Sequence, residues 1–174
     1  VVNWISYAYL PPILLAAAVA WLAARRQLRW VSVAASVLVL IATWSLITLQ
    51  IRHGFHREHM HSASLGFIEA ATYINAWLCL AIGFVLGGRW LPGRGVDVGG
   101  AVLLVIAVGF AVTSLGYTVN PLLAHEYVGT TKVINWLAYA YACPAALLAV
   151  AASVSHRPPL ASISRLVQVV ALLL

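Results

Sequence analysis

The chain is 174 residues long, 63% hydrophobic and 8% charged, with a mean hydropathy of +0.96. That is more apolar surface than one water-soluble core can hide, which excludes an ordinary soluble domain and places the chain in a lipid bilayer. The formal charge of +6 is that of ten Lys and Arg, scattered over the loops, less four Asp and Glu; no basic stripe interleaves with exposed aromatics, so nucleic acid is excluded as a partner.

A helix needs about 20 apolar residues to cross a hydrocarbon layer of roughly 30 Å. Five stretches meet that length: 4–24, 30–51, 65–86, 98–117 and 133–154. A sixth apolar run, 160–174, stops after 15 residues. The expected fold is therefore all-α, a polytopic transmembrane helix bundle of five complete spans plus a truncated sixth.

Taken in chain order, the first span is interrupted by Pro11 and Pro12, which remove two amide donors and predict a kink. The short loop RRQLR makes the first two spans an antiparallel hairpin. The second span ends in IRHGFHREHMH, and the third carries Glu69 near its start. Loop three, GGRWLPGRGVDVGG, lacks the Lys-Ser/Thr ending of a phosphate-binding loop and follows no strand, so neither a nucleotide nor any other cofactor is expected. The fourth span has Ala107 and Ala111 four apart, with Gly100, Gly109 and Gly116 nearby. Small residues let backbones approach closely, which predicts that this helix is central in the bundle. Loop four holds Asn120-Pro121 and the amphipathic run LLAHEYVG, suited to the outer membrane surface. Pro144 predicts a second kink in the fifth span. Cys79 and Cys143 fall inside spans and are read as small packing residues.

The opening residues VVNWISYAYLPP return as VINWLAYAYACP at an offset of 132, identical at seven of twelve positions. A fixed-offset echo is the signature of a repeated unit. It divides the chain into one complete four-helix unit, 1–132, and the first part of a second copy, 133–174. Four crossings separate the copies, so the repeats run parallel. With no initiating Met and no basic leader at Val1, the chain reads as a piece of a longer protein with at least one further unit.

Loops one, three and five carry Arg25, Arg26, Arg29, Arg89, Arg94 and Arg157, against Arg52, Arg57 and Lys132 in loops two and four. This excess puts the odd loops in the cytoplasm and the N-terminal end of the first helix outside. Arg165, in the truncated run, is expected to snorkel to the inner surface.

Three groups of residues are candidates for chemistry. The histidines His53, His56, His59 and His61 include a pair three apart, a spacing at which two imidazoles on a helix can share a metal. Gly54 weakens the helix there, and the preferred reading is a solvated, pH-sensitive boundary segment; a metal centre and a purely structural role for His53 and His56 are the alternatives. Glu69 is the one acid within a predicted span, where a carboxylate needs a partner or water. Arg52, at the same end of the preceding helix, is the natural partner, and Glu69 shares a face with Thr72, Tyr73 and Ala76. An ion pair at a helix end and a proton or substrate relay both fit. The third set is Asn3, Tyr7 and Pro12 with their repeats Asn135, Tyr139 and Pro144. Matching proline breaks in repeated halves mark binding sites in transporter folds. The competing reading is an aromatic belt of Trp4, Tyr7, Tyr9, Trp136, Tyr139 and Tyr141 at the outer interface.

The stretches LITLQIRHGFH (46–56), EAATYINAW (69–77) and NPLLAHEYVGTTKVINWLAYAYACPAALLA (120–149) together resemble the DUF2339 family, large bacterial membrane proteins of unknown function. The resemblance extends over nearly the whole chain, with Gln50 standing where the family pattern often has an acid. It implies a long, many-span protein of the bacterial inner membrane, often with a soluble or coiled N-terminal region, and it supplies no catalytic residues. The expected function is an integral inner-membrane protein that moves or holds an apolar or amphipathic molecule, with Asn3, Tyr7, Arg52, Glu69 and Tyr73 as polar contacts. The alternatives are a non-catalytic scaffold of the cell envelope whose repeats serve assembly, and a metal-dependent membrane enzyme using His53, His56 and Glu69. The expected partners are the lipid bilayer, further repeats of the same parent chain and an unidentified small molecule or lipid.

Overall fold

A computed structural model describes residues 4–57, 64–87, 94–124 and 135–154. Every element among them is helical: α1 (Trp4–Arg25), α2 (Arg29–Phe55), α3 (Phe67–Gly87), α4 (Arg94–Thr113), the short α5 (Pro121–Ala124) and α6 (Cys143–Val154). A π-helical turn, Ser114–Thr118, extends α4, and another, Ala138–Ala142, leads into α6. Four segments are long and apolar enough to cross a membrane: Trp4–Arg25, Arg29–Phe55, Phe67–Gly87 and Val98–Leu123. The apolar helix Ala138–Ser153 is shorter. Asn3, His59, His61, Lys132, Arg157, Arg165, residues 88–93 of loop three and the run 160–174 lie outside the described residues.

α1 and α2 form the expected hairpin. The Leu28 N–H closes on Ala23 O at 2.9 Å and the Gln27 N–H on Ala24 O at 3.1 Å, with Gln27 at φ 58°. This left-handed cap ends α1 by satisfying carbonyls that the helix leaves open. A side chain at that φ costs about 1 kcal/mol relative to glycine. Gln27→Gly is therefore expected to raise stability by about that amount, read from unfolding in detergent micelles. A loss of stability would mean the turn has another shape. Below the turn, small residues face each other: Ala16, Ala20 and Ala23 from α1, Ser32 and Ala35 from α2. They let the Ser32 hydroxyl donate to Ala20 O at 3.2 Å. At the far end the Gln50 amide donates to Ser6 Oγ at 2.8 Å, so α1 lies along α2 over its length.

The hub is α3, which packs on α2, α4 and α6. Phe67, Ala70, Ala71, Ile74, Leu78 and Ala81 form one buried stripe along it, and Tyr73 and Trp77 are buried to one side of that stripe. The expectation that α4 is central holds only in part: Ala107 and Ala111 are buried against the core, but α4 keeps an outer face of exposed Val102, Val105 and Ile106. The close approach of α3 and α4 is set by Gly100, where an added Cβ would lie 3.1 Å from Ala81 O and 2.9 Å from Val85 Cγ2. Gly109 and Gly116 meet nothing within 4 Å. Cys79 is exposed and Cys143 half-buried, so Cys79 is not a packing residue among the described ones.

Both π turns leave a backbone carbonyl open to a side chain from elsewhere. In the second, the Cys143 N–H bonds to Ala138 O and residue 144 is a proline, so neither amide that a helix would offer Tyr139 O is free. The Asn75 amide of α3 donates to that carbonyl at 3.1 Å. In the first, Leu115 O accepts the Tyr141 hydroxyl at 3.1 Å. An unsatisfied carbonyl in hydrocarbon costs several kcal/mol, so these two bonds fix how the 135–154 segment docks on α3 and α4.

Candidate functional site

The last turns of α2 and the first turns of α3 meet at one end of the bundle, and four side chains converge there. Glu69 is 2% exposed, the most deeply buried charged group among the described residues. Arg52 Nη1 donates to both carboxylate oxygens, at 2.8 Å to Oε1 and 3.1 Å to Oε2. The Tyr73 hydroxyl, one helical turn on from Glu69, donates to Oε1 at 3.0 Å. His56 Nε2 lies 2.8 Å from Oε2 and donates to it when that nitrogen carries the proton.

The sequence explains each placement. Arg52 and Glu69 lie near the end of α2 and the start of α3, so the two side chains share one end of the bundle. His56 is the residue just past α2, and its backbone N–H still bonds to Arg52 O at 2.9 Å. That cap turns its ring toward α3. Phe67, 1% exposed and with its ring 6.4 Å from that of Tyr141, anchors the start of α3 in the core.

A carboxylate offers about four lone-pair positions, and all four are taken by these contacts. The arrangement is a closed clamp that ties α2 to α3. A carboxylate at this depth must be paired to be tolerated, and Arg52 with His56 provides the compensation at the boundary, where their side chains remain 19% and 23% exposed.

The structure therefore brings together Arg52, Glu69 and Tyr73 among the expected contacts. Tyr7 is at the same end of the bundle, next to Ser6 and its bond from Gln50, but its ring is 65% exposed and stacks on Trp4 at 6.0 Å. Asn3 lies outside the described residues. Thr72 returns its hydroxyl to Ile68 O and Ala76 is half-buried, so the shared face narrows to Glu69 and Tyr73. Among the described residues no group of three His, Cys, Asp or Glu is placed to hold a metal ion; His56 meets Glu69, while His53 is half-exposed.

Two features escaped the sequence reading. Asn75 was hidden inside an apolar helix, and its role as donor to Tyr139 O depends on a π turn that no residue pattern announces. An aromatic ladder also runs inward from Glu69. Tyr73 stacks on Trp77 at 5.7 Å, and Trp77 meets Trp44 at 5.4 Å and Phe110 at 5.0 Å. The Trp77 N–H donates to Thr48 Oγ1 at 3.0 Å.

Trp44 ends the ladder at an apolar groove of about 480 Å³ between α2 and α4, bounded by Val33, Val37, Leu40, Val102 and Ile106. The Trp44 indole N–H is buried with no protein acceptor.

Comparison with protein-family models, curated proteins and solved structures finds no match to this chain.

Proposed function

We propose that the chain is an integral membrane protein that holds an apolar or amphipathic molecule, with its apolar part in the groove between α2 and α4. The observation that carries this reading is the groove itself. It has the size of a small-molecule site and an apolar wall. In this reading the Arg52, His56, Glu69 and Tyr73 clamp, beginning about 12 Å further along α2 at 1.5 Å per residue, keeps α2 at a fixed distance from the core, so that the groove has a fixed width.

The reading includes parallel four-helix repeats, an outer N-terminal end of α1 with the α1–α2 turn in the cytoplasm, and membership of the DUF2339 family in a bacterial inner membrane. A scaffold is the second reading, favoured by the saturation of Glu69, which leaves its carboxylate no free acceptor for a passing substrate.

Filling the groove separates the two. Val102→Trp places an indole where the occupant would lie, on a face of α4 that is exposed. Native mass spectrometry of the purified protein is expected to show an apolar adduct on the wild type and at least a tenfold weaker one on Val102→Trp, with unchanged thermal stability. Equal adducts on both proteins would point to the scaffold.

A further inference from the structure

α1 and the 135–154 segment carry the same sequence motif, and the structure gives them the same exposure pattern except along one stripe. Trp4, Leu10, Leu14, Ala17, Ala18 and Trp21 are exposed, as are their counterparts at 136, 142, 146, 149, 150 and 153. Ala16 and Ala20 are buried, as are Leu148 and Ala152. The two differ at Tyr7, Ala8, Pro11, Pro12, Leu15 and Val19, all exposed in α1. Their counterparts, Tyr139, Ala140, Cys143, Pro144, Leu147 and Ala151, are all buried or half-buried. Those six positions are spaced i, i+1, i+4, i+5, i+8 and i+12, which is one continuous face of a helix. Leu15 is 69% exposed, whereas Ala140 is 0% exposed.

In the second copy that face is covered by α3, and the bond from Asn75 to Tyr139 O holds it there. In α1 the need for such a donor is greater. Pro11 and Pro12 have no N–H, so the carbonyls of Tyr7 and Ala8 both lack their helical donor. A helix surrounded by lipid on that side has nothing to offer them.

We propose that this stripe of α1 is a docking surface for an α3-type helix of another four-helix unit in the same polypeptide, with an Asn-like donor opposite Tyr7 O. The inference rests on the repeat reading given above. The choice of occupant follows from register. The α3 that receives the second copy belongs to the unit before it, and its docking face is thereby filled, so α1 is received by the α3 of the unit before its own. Tyr7 then belongs to a joint between units, and the repeats form a continuous row.

The test is photo-crosslinking of the full-length protein in its native membrane, with p-benzoylphenylalanine replacing Tyr7 or Leu15, followed by peptide mapping. Both positions are expected to give an intramolecular crosslink to an α3-type peptide lying outside residues 1–174. Leu14, exposed in both copies, is expected to give lipid adducts under the same treatment. Lipid adducts at Tyr7 and Leu15, or crosslinks to another protein or to a second copy, would overturn the proposal. Leu147 separates this failure from that of the repeat reading. Its crosslink to α3 together with lipid adducts at Leu15 removes the docking alone, whereas lipid adducts at Leu147 as well remove the repeat placement beneath it.

Discussion

Replacing Glu69 with alanine is expected to destabilise the bundle by about 3 kcal/mol, the lower end of the range for removing one partner of a buried ion pair. The low end applies because Arg52 keeps 19% of its side chain exposed and part of its charge can reach water. The loss has three sources: the Arg52 guanidinium gives up two contacts, and the Tyr73 hydroxyl and the His56 ring give up one each. Losing an acceptor inside the bundle makes those groups costly to leave behind. Removing Arg52 as well should relieve part of the cost, so the double variant Arg52→Met with Glu69→Ala is expected to be more stable than the sum of the singles predicts. Coupling of roughly 1–3 kcal/mol is the scale for groups in one network. Unfolding of the four proteins by SDS titration from a mild detergent measures it. A Glu69→Ala variant within about 0.5 kcal/mol of wild type would place it among ordinary surface changes and remove the clamp.

The second large effect is at the α3–α4 contact. Gly100→Leu is expected to cost about 3 kcal/mol, the upper part of the range for overpacking. Its Cβ alone would stand 3.1 Å from the Ala81 backbone oxygen and 3.2 Å from Phe84 Cβ, and the backbone oxygen cannot rotate away as the Val85 methyl can. Gly109→Leu, on the same helix, is the comparison. With nothing within 4 Å of its Cβ, it gains up to about 1 kcal/mol of helix propensity. Thermal unfolding of the pair should therefore move in opposite directions. If both glycines accept leucine equally well, the two helices are not in contact at Gly100.

Much of this fold could be read from residue order because lipid solubility depends on a property summed over about 20 residues. The stretches 4–24, 30–51, 65–86 and 98–117 correspond to Trp4–Arg25, Arg29–Phe55, Phe67–Gly87 and the α4 region, with ends that differ by a few residues where helices run past the apolar core. The pairing of Arg52 with Glu69 was also legible, since two opposite charges at the joined ends of a helical hairpin have few other partners. Tyr73 followed from helical spacing alone.

Other features depend on tertiary position. Small residues in α4 suggested the centre of the bundle, yet α3 takes that place. Its Ala70, Ala71 and Ala81 are as small and as deeply buried as Ala107 and Ala111, so residue size alone does not rank the two helices. His56 looked like one of four boundary histidines, and only the cap on α2 distinguishes it. The π turns at 114–118 and 138–142 carry no composition signal, and the Asn75 bond cannot be inferred without them. The groove between α2 and α4 is a product of helix separation, which residue periodicity does not encode.

The claim beneath all of these is that α1 and α2 cross a bilayer in opposite senses, and side-specific thiol labelling tests it most directly. With Cys79 and Cys143 replaced by serine, single cysteines at Gln27 and Arg57 are placed at opposite ends of α2. In sealed right-side-out vesicles an impermeant maleimide is expected to label Arg57→Cys and to leave Gln27→Cys unlabelled until the vesicles are opened. Labelling of both from the same side without opening would contradict the account.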